Sequence, residues 1–420
     1  MLARFPAMAV FLLFRRFEKK RSHDRGYFGS GPASRIKGVF EERPPVDFLS
    51  RGGYALPSSY GVKAMSWPKS HLGDTMSDKE TRILVVGAGA IGGVTGGLVF
   101  RAGHDVRFLE KNTRAVERIR SSGLAVRTPN GEFTVSPPIF ADVAEIGEKM
   151  EVILLATKAT ALPDAVVGLR PLMKPDTAIV SLQNGLCEEI IAGIVGKEAT
   201  VGCVVGWGGT MHEPGVVEMT SKGEFIIGRL DGTRDDTLLE VQSILAAAAP
   251  TMISDNIMGH LYGKLIINSC ITTLGAICGE YLGRMLTMRT ARNMFIEIVR
   301  EGMDVAGAMG LQVEPVSRLD FGSFLKGAGP LASLRRHTLI RLIGFKYRRL
   351  KSSSLQSLER GERTEVDFFN GYIAARGREF GVKTPLNEYL TACVKDIEAG
   401  RRKIGLMNFH EPFLEAYRQP

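Results

Sequence analysis

The run Ile83-Leu84-Val85-Val86-Gly87-Ala88-Gly89-Ala90-Ile91-Gly92 limits what this chain can fold into more than any other stretch. Four consecutive apolar residues read as a buried strand, a GxGxxG pattern follows at once, and Val94 and Leu98 continue as the apolar face of a helix. In such a strand-turn-helix the first glycine permits the tight turn and the second lets the backbone approach a pyrophosphate. The third allows close strand-helix packing, and the helix N-terminus faces the phosphate charge. Residues Gly87, Ala88, Gly89, Ala90, Ile91 and Gly92 are therefore expected to bind a dinucleotide. A glycine pattern alone is weak, but Glu110 ends the next apolar run 23 positions after Gly87, near the spacing of about 20 for a ribose-binding acid. A carboxylate there favours the 2′-hydroxyl of NAD, whereas a cation favours the 2′-phosphate of NADP. The chain has both, as Glu110-Lys111 with Arg114 a turn later, so the choice between NAD and NADP stays open.

Short apolar runs then alternate with helical stretches: Ile83 to Val86, Val106 to Leu109, Val152 to Ala156, Ala178 to Leu182 and Thr200 to Val205. This alternation predicts a parallel sheet covered by helices. After Asp255 the strand pattern stops, and Ile257 to Ile277, Thr290 to Ala308, Thr364 to Phe380 and Asn387 to Gly400 carry helical periodicity. The expected fold is an α/β Rossmann dinucleotide-binding domain over 76–254 followed by a mainly α-helical domain over 255–404, with 405–420 as a tail. Residues 15 to 75 show no sustained period and read as an extension, over 1–75, that is disordered or precedes the true start at Met76.

Charge bears on partners. The chain carries a net +9, but residues 1–75 hold 13 Lys or Arg against 6 Asp or Glu, which leaves only +2 for the remainder. A nucleic-acid partner is not expected on that distribution. The apolar run Ala7 to Phe14 is far short of the roughly 20 residues that span a bilayer, so no membrane partner is expected either. Five cysteines, an odd and scattered set without a CxxC pair, indicate neither a disulfide framework nor a thiolate metal site and fit a reducing cytoplasm.

Polar groups mark several further positions. Lys158 and Asn184 follow the third and fourth apolar runs, at the carboxyl edge where open α/β sheets bind ligands. On the residues alone, Lys158 could equally be a solvated loop lysine and Asn184-Gly185 only a turn. Lys264 and Asn268 stand at i and i+4, on one face of an otherwise apolar helix, so the ammonium must snorkel or enter a polar cleft. Lys351 to Gly361 reads as a serine-rich loop, and Thr364 as the cap of the helix after it. Nothing in the periodicity links Glu365 to Lys264.

In their order these motifs resemble the ketopantoate reductase (2-dehydropantoate 2-reductase) family. The likeness runs from about Thr81 to Ile404 and comprises the glycine loop, Lys158, Asn184-Gly185, KxxxN at Lys264 and Asn268, and a serine pair followed by Thr364-Glu365-Val366-Asp367 and Asn370-Gly371. The resemblance implies NAD(P)H-dependent reduction of a small-molecule 2-oxoacid in pantothenate biosynthesis, by a monomer or homodimer. It implies that Lys264 donates the proton and that Glu365 contacts the substrate region and organises the lysine. It also places Asn184 by the nicotinamide, Lys158 on the cofactor side, and Asn268 and Ser353 at the substrate.

Departures are visible too. Thr272 stands where the family often has a second asparagine, and Ser354 and Ser357 replace a methionine and an aspartate. The stretch between Pro315 and Lys351, with Arg335, Arg336, Arg341, Lys346, Arg348 and Arg349, is longer and more basic than the family pattern; it reads as a solvated helical surface or as a site for an anionic substrate or partner. Two other functions compete with ketopantoate reduction: an NAD-linked dehydrogenase of another hydroxy acid, and a non-catalytic dinucleotide sensor. Retention of both Lys264 and Glu365 disfavours the sensor.

Overall fold

The computed structural model describes residues 81–417 apart from Arg318 and Glu411, so the expectations for the extension over 1–75 and for a start at Met76 lie outside the described residues. Twelve strands occupy the first part of that range: β1 (Arg82–Val86), β2 (Asp105–Leu109), β3 (Leu124–Thr128), β4 (Gly131–Val135), β5 (Ile139–Phe140), β6 (Met150–Leu155), β7 (Met173–Ser181), β8 (Thr200–Val205), β9 (Gly209–Glu213), β10 (Val216–Met219), β11 (Phe225–Arg229) and β12 (Thr251–Ile253). The helices among them are α1 (Ala90–Arg101), α2 (Thr113–Ser122), α3 (Leu162–Leu169), α4 (Glu188–Val195) and α5 (Asp236–Ala246).

Eight strands form one sheet in the order β12-β11-β8-β7-β6-β1-β2-β5. The six from β8 to β5 are parallel, and β11 joins antiparallel to β8. The five apolar runs read from the sequence are β1, β2, β6, β7 and β8. Side chains alternate across a strand, so Ile83 and Val85 of β1 enter one core while Leu84 and Val86 enter the other. Helices cover both faces, which is why β1 shows an unbroken apolar run instead of alternation. A second sheet, β4-β3-β10-β9, was not evident from the sequence. It packs over α1, where a Cβ on Gly97 would come within 2.7 Å of Val126.

From Ile257 the chain is helical: α6 (Ile257–Cys278), α7 (Leu282–Met285), α8 (Arg289–Ala308), α9 (Phe321–Leu325), α10 (Pro330–Lys346), α11 (Ser353–Glu359), α12 (Asn370–Phe380) and α13 (Pro385–Glu398). The 22-residue α6 is long and apolar enough to cross a bilayer, yet most of it is buried among the other helices. Its polar residue Lys264 thus sits on the central element of a packed core.

Three sequence expectations change. Lys351 to Gly361 is largely the helix α11, capped by Ser352, whose hydroxyl accepts from the Leu355 N–H. Thr364 caps no α-helix; a short 3-10 turn (Val366–Phe368) precedes α12. The tail is docked, with Phe409 and Leu414 in the helical core and the Asn408 amide donating to the Ile277 carbonyl at the end of α6.

Candidate active site

The glycine loop joins β1 to α1 at the centre of the parallel sheet, between the carboxyl ends of β2 and β6. Gly87 has φ +99°, a left-handed conformation costly for any residue with a Cβ. A Cβ on Gly92 would lie 2.0 Å from the Gly87 carbonyl oxygen and 2.7 Å from the Ala156 methyl, whereas one on Gly89 would meet nothing within 4 Å. Packing therefore demands glycine at Gly92, while the space beside Gly89 is open. No side chain caps the N-terminus of α1, which leaves its first N–H groups facing that space.

At the end of β2, the Glu110 carboxylate accepts from the Ala88 N–H at 2.7 Å and from the Asn112 N–H at 2.8 Å. It ties the glycine loop to the turn that starts α2. Lys111 and Arg114 beside it are exposed, with no ion pair among the described residues.

The ends of β6 and β7 carry the next groups. The Gln183 amide donates to the backbone oxygen and hydroxyl of Thr157, both at 3.1 Å, and so fixes the two strand ends side by side. Asn184 follows, half-buried, and its side chain has no hydrogen-bond partner among the described residues. Gly185, at φ +92°, lies so close to the helical part that a Cβ would be 2.9 Å from the Phe368 carbonyl oxygen. Lys158 reaches across to Glu362 at 2.5 Å, and the Ala159 N–H donates to Glu365 at 3.0 Å. The segment before α12 is thereby fastened to the end of β6.

Lys264 stands on α6, near enough to Glu365 for the two charges to interact. It is half-buried and makes no hydrogen bond or ion pair among the described residues. Burial holds its ammonium below the usual lysine range, against the opposing fields of Cys203, Glu188 and Glu365. Glu365 makes no ion pair with it within 4 Å, but the two charges interact. Burial also raises the Glu365 carboxyl, with the Ala159 N–H, Lys158 and Lys264 pulling the other way.

One turn beyond Lys264, Asn268 is half-buried and its amide is unpartnered among the described residues. The Thr272 hydroxyl turns back onto the Asn268 carbonyl at 2.6 Å and is occupied there. Ser353 is exposed at the first turn of α11 and makes no side-chain hydrogen bond among the described residues. Its neighbour Ser357 is the serine that faces Lys158, at a long 3.5 Å.

Sequence reasoning missed Glu188. This first residue of α4 is fully buried, and neither carboxyl oxygen has a hydrogen-bond partner among the described residues. Burial pushes its carboxyl up to about 8, which favours the protonated form. Its position four residues after Asn184 was the available signal, but acids in a first helical turn are ordinary. Glu362, the partner of Lys158, was likewise missed: it stands between the serine-rich stretch and Thr364, where nothing in the spacing links it to Lys158.

Residues 83–232 match the ketopantoate reductase PanE/ApbA family and residues 256–398 match its C-terminal region. The chain is 31% identical over 325 residues to a 2-dehydropantoate 2-reductase of Pyrococcus horikoshii, a match spanning 76% of this chain and 98% of that protein. Among solved structures, a PanE/ApbA family ketopantoate reductase from Ralstonia eutropha is 28% identical with a TM-score of 0.66, covering 76% of this chain and 99% of the other. A D-mandelate dehydrogenase solved with NADH and anilino(oxo)acetate has the same fold, at 23% identity and a TM-score of 0.67, again over 76% of this chain and 99% of its own. With its Rossmann sheet, its helical second part and its relatives in agreement, the chain belongs to the ketopantoate reductase family of nicotinamide-dinucleotide-dependent oxidoreductases.

Proposed function

We propose that the protein reduces a 2-oxoacid, 2-dehydropantoate to pantoate being the leading reaction, with Lys264 as the proton donor. The observation that carries this reading is that Lys264 and Asn268, on one face of α6, and Asn184, just after β7, are half-buried polar side chains with no partner among the described residues. Half-buried polar side chains without a protein partner are free to bond a ligand. The residues at the glycine loop fit a dinucleotide, because the one glycine position free of protein contact is the one a pyrophosphate would approach. When bound, that coenzyme supplies the hydride.

The chain's own residues supply the rest. Lys264 holds a proton at Nζ, stabilises the charge that develops on the substrate oxygen, and transfers the proton there. Asn268, on the same helix face, orients the substrate, and Asn184 borders the nicotinamide position. Glu365 acts on Lys264 through its field, from its anchor on Ala159, and Lys158 borders the coenzyme from its pair with Glu362. Glu110 and Lys111 set the coenzyme preference between NAD and NADP. Five cysteines, all free and buried, suit work in a reducing cytoplasm.

Coenzyme oxidation measured with NADH and NADPH against a panel of 2-oxoacids tests the reading. Turnover with 2-dehydropantoate well above all others is expected. A second reading, a dehydrogenase of a different hydroxy acid, is favoured by Ser354 and Ser357, which replace larger or charged family residues close to the cleft. Preference for another 2-oxoacid would establish it, and no turnover of any would remove both.

A further inference from the structure

The long basic stretch between α9 and α11 folds as α10, a helix apolar on two faces. Its inner face is seated on the helical core: Ile340 and Gly344 are buried, and a Cβ on Gly344 would sit 2.9 Å from the Leu286 Cβ. The Leu282 N–H donates to the Leu350 carbonyl at 2.9 Å and closes the segment's far end. At the near end, Arg335 and Arg336 donate to the carbonyls of Ser323, Phe324, Leu325, Lys326 and Gly327. The helix is thus held in one orientation.

Its outer face should then be polar, and it is not. Leu331, Leu334, Thr338, Leu342 and Phe345 follow at spacings of three or four residues, which aligns them in one stripe. Leu331 is 84% exposed, Phe345 70% and Leu334 64%, and Tyr347 and Leu350 continue the exposed apolar surface. Flanking it, residues 321–358 contain eight Lys or Arg and no Asp or Glu. None of Arg335, Arg336, Arg341, Lys346, Arg348 and Arg349 has an acidic partner within 4 Å among the described residues. An apolar stripe rimmed by unneutralised cations is the pattern of a helix lying in the interface of an anionic bilayer.

We infer that the outer face of α10 docks the protein on an anionic lipid surface, its leucines and Phe345 entering the acyl boundary while the rim of arginines and lysines meets lipid phosphates. This goes against the sequence expectation of no membrane partner, in which this stretch reads as a solvated surface or a site for an anionic substrate or partner. Charge argues against the other occupants. A symmetric contact of this face with a second copy would bring Arg341, Lys346, Arg348 and Arg349 of each copy together without an acidic partner. Residues 1–75, at net +7, would be repelled likewise. A nucleic-acid backbone would satisfy the cations but leave Leu331, Leu334 and Phe345 in water.

Co-sedimentation of the full chain with vesicles tests this, using phosphatidylcholine alone and phosphatidylcholine with phosphatidylglycerol. Binding is expected only to the anionic vesicles and should fall as salt rises. Leu334→Glu with Phe345→Glu should lower it by about tenfold or more, and Arg341→Glu with Arg348→Glu comparably, each with an unchanged melting temperature because these side chains face solvent. Undiminished binding by both double variants, or no binding at all, overturns the inference. So does a dimer, seen without lipid by sedimentation equilibrium, that the Leu334 and Phe345 changes abolish. Gel-shift binding to nucleic acid that the charge reversals abolish and the apolar changes spare assigns the face to a different polyanion.

Discussion

The two sides of the proposed site are built from different materials. The proposed coenzyme side is backbone: a glycine turn at the end of β1, the uncapped start of α1, and a carboxylate that holds the Ala88 N–H. The proposed substrate side is side chain: Lys264 and Asn268 on α6, and Glu365 from a turn anchored on Ala159. A backbone surface is disturbed by adding atoms and a side-chain surface by removing them. Substitutions should therefore separate the two sides cleanly.

The largest effect is expected from Lys264→Ala, which should lower kcat by about two to four orders of magnitude, the usual contribution of a positioned general acid, with coenzyme Kd nearly unchanged. Single-turnover rates and coenzyme titration measure the two quantities. A normal kcat on the best substrate would remove Lys264 from the chemistry and blur the division.

On the coenzyme side, Gly92→Ala and Gly89→Ala form a matched pair. The first places a methyl 2.0 Å from the Gly87 oxygen and should destabilise the fold by about 1–3 kcal/mol or prevent folding. The second meets no protein atom, so its melting temperature should match the parent while coenzyme affinity falls. Equal melting temperatures for the two variants would contradict the packing described for the loop.

A smaller change is expected from Glu110→Ala. Loss of the carboxylate removes a repulsive charge near a 2′-phosphate, so the ratio of kcat/KM values should move toward NADPH. Because Glu110 also holds the Ala88 and Asn112 N–H groups, both coenzymes should bind less well. An unmoved ratio means that Glu110 only shapes the loop.

The most subtle test is Glu188→Gln. A carboxyl raised to about 8 in the folded protein, from an unfolded value near 4.5, keeps a proton that the unfolded chain has lost between those pH values. Stability from this group is thus lost as pH climbs from 4.5 to 8, and the glutamine variant should lose less melting temperature over that interval. Above pH 8 an ionised Glu188 favours the Lys264 ammonium, so the variant's alkaline loss of kcat should shift to lower pH. Identical melting profiles would mean that the carboxyl is solvated.

What the sequence revealed follows the same division. The parallel core and the glycine loop were legible because their physics is local: four apolar residues, a turn, a helix start. Lys264 and Asn268 could be placed on one helix face, but no periodicity says that the face lines a cleft, and their roles came from resemblance. The small sheet was hidden because β3 pairs with β10 some ninety residues later, and both are short. Glu188 was invisible because its meaning depends on burial, which charge and spacing do not report. The outer face of α10 is the solvated helical surface the sequence suggested, but the exposed leucines between its arginines carried no signal in the charge pattern.

One contact remains to be followed to its mechanical end. Glu189 of α4 pairs with Arg376 of α12 and accepts from the Tyr372 hydroxyl at 2.9 Å, and both ionic side chains are largely buried. The Lys158–Glu362 pair at the mouth is nearly half exposed on each side. Opening an exposed ion pair costs about 1 kcal/mol or less, whereas breaking a buried one costs about 3–5 kcal/mol. Separation of the two parts at Lys158 would therefore cost less than separation at Arg376. Traffic through the cleft should then quicken with ionic strength, since salt loosens the exposed pair and leaves the buried one untouched.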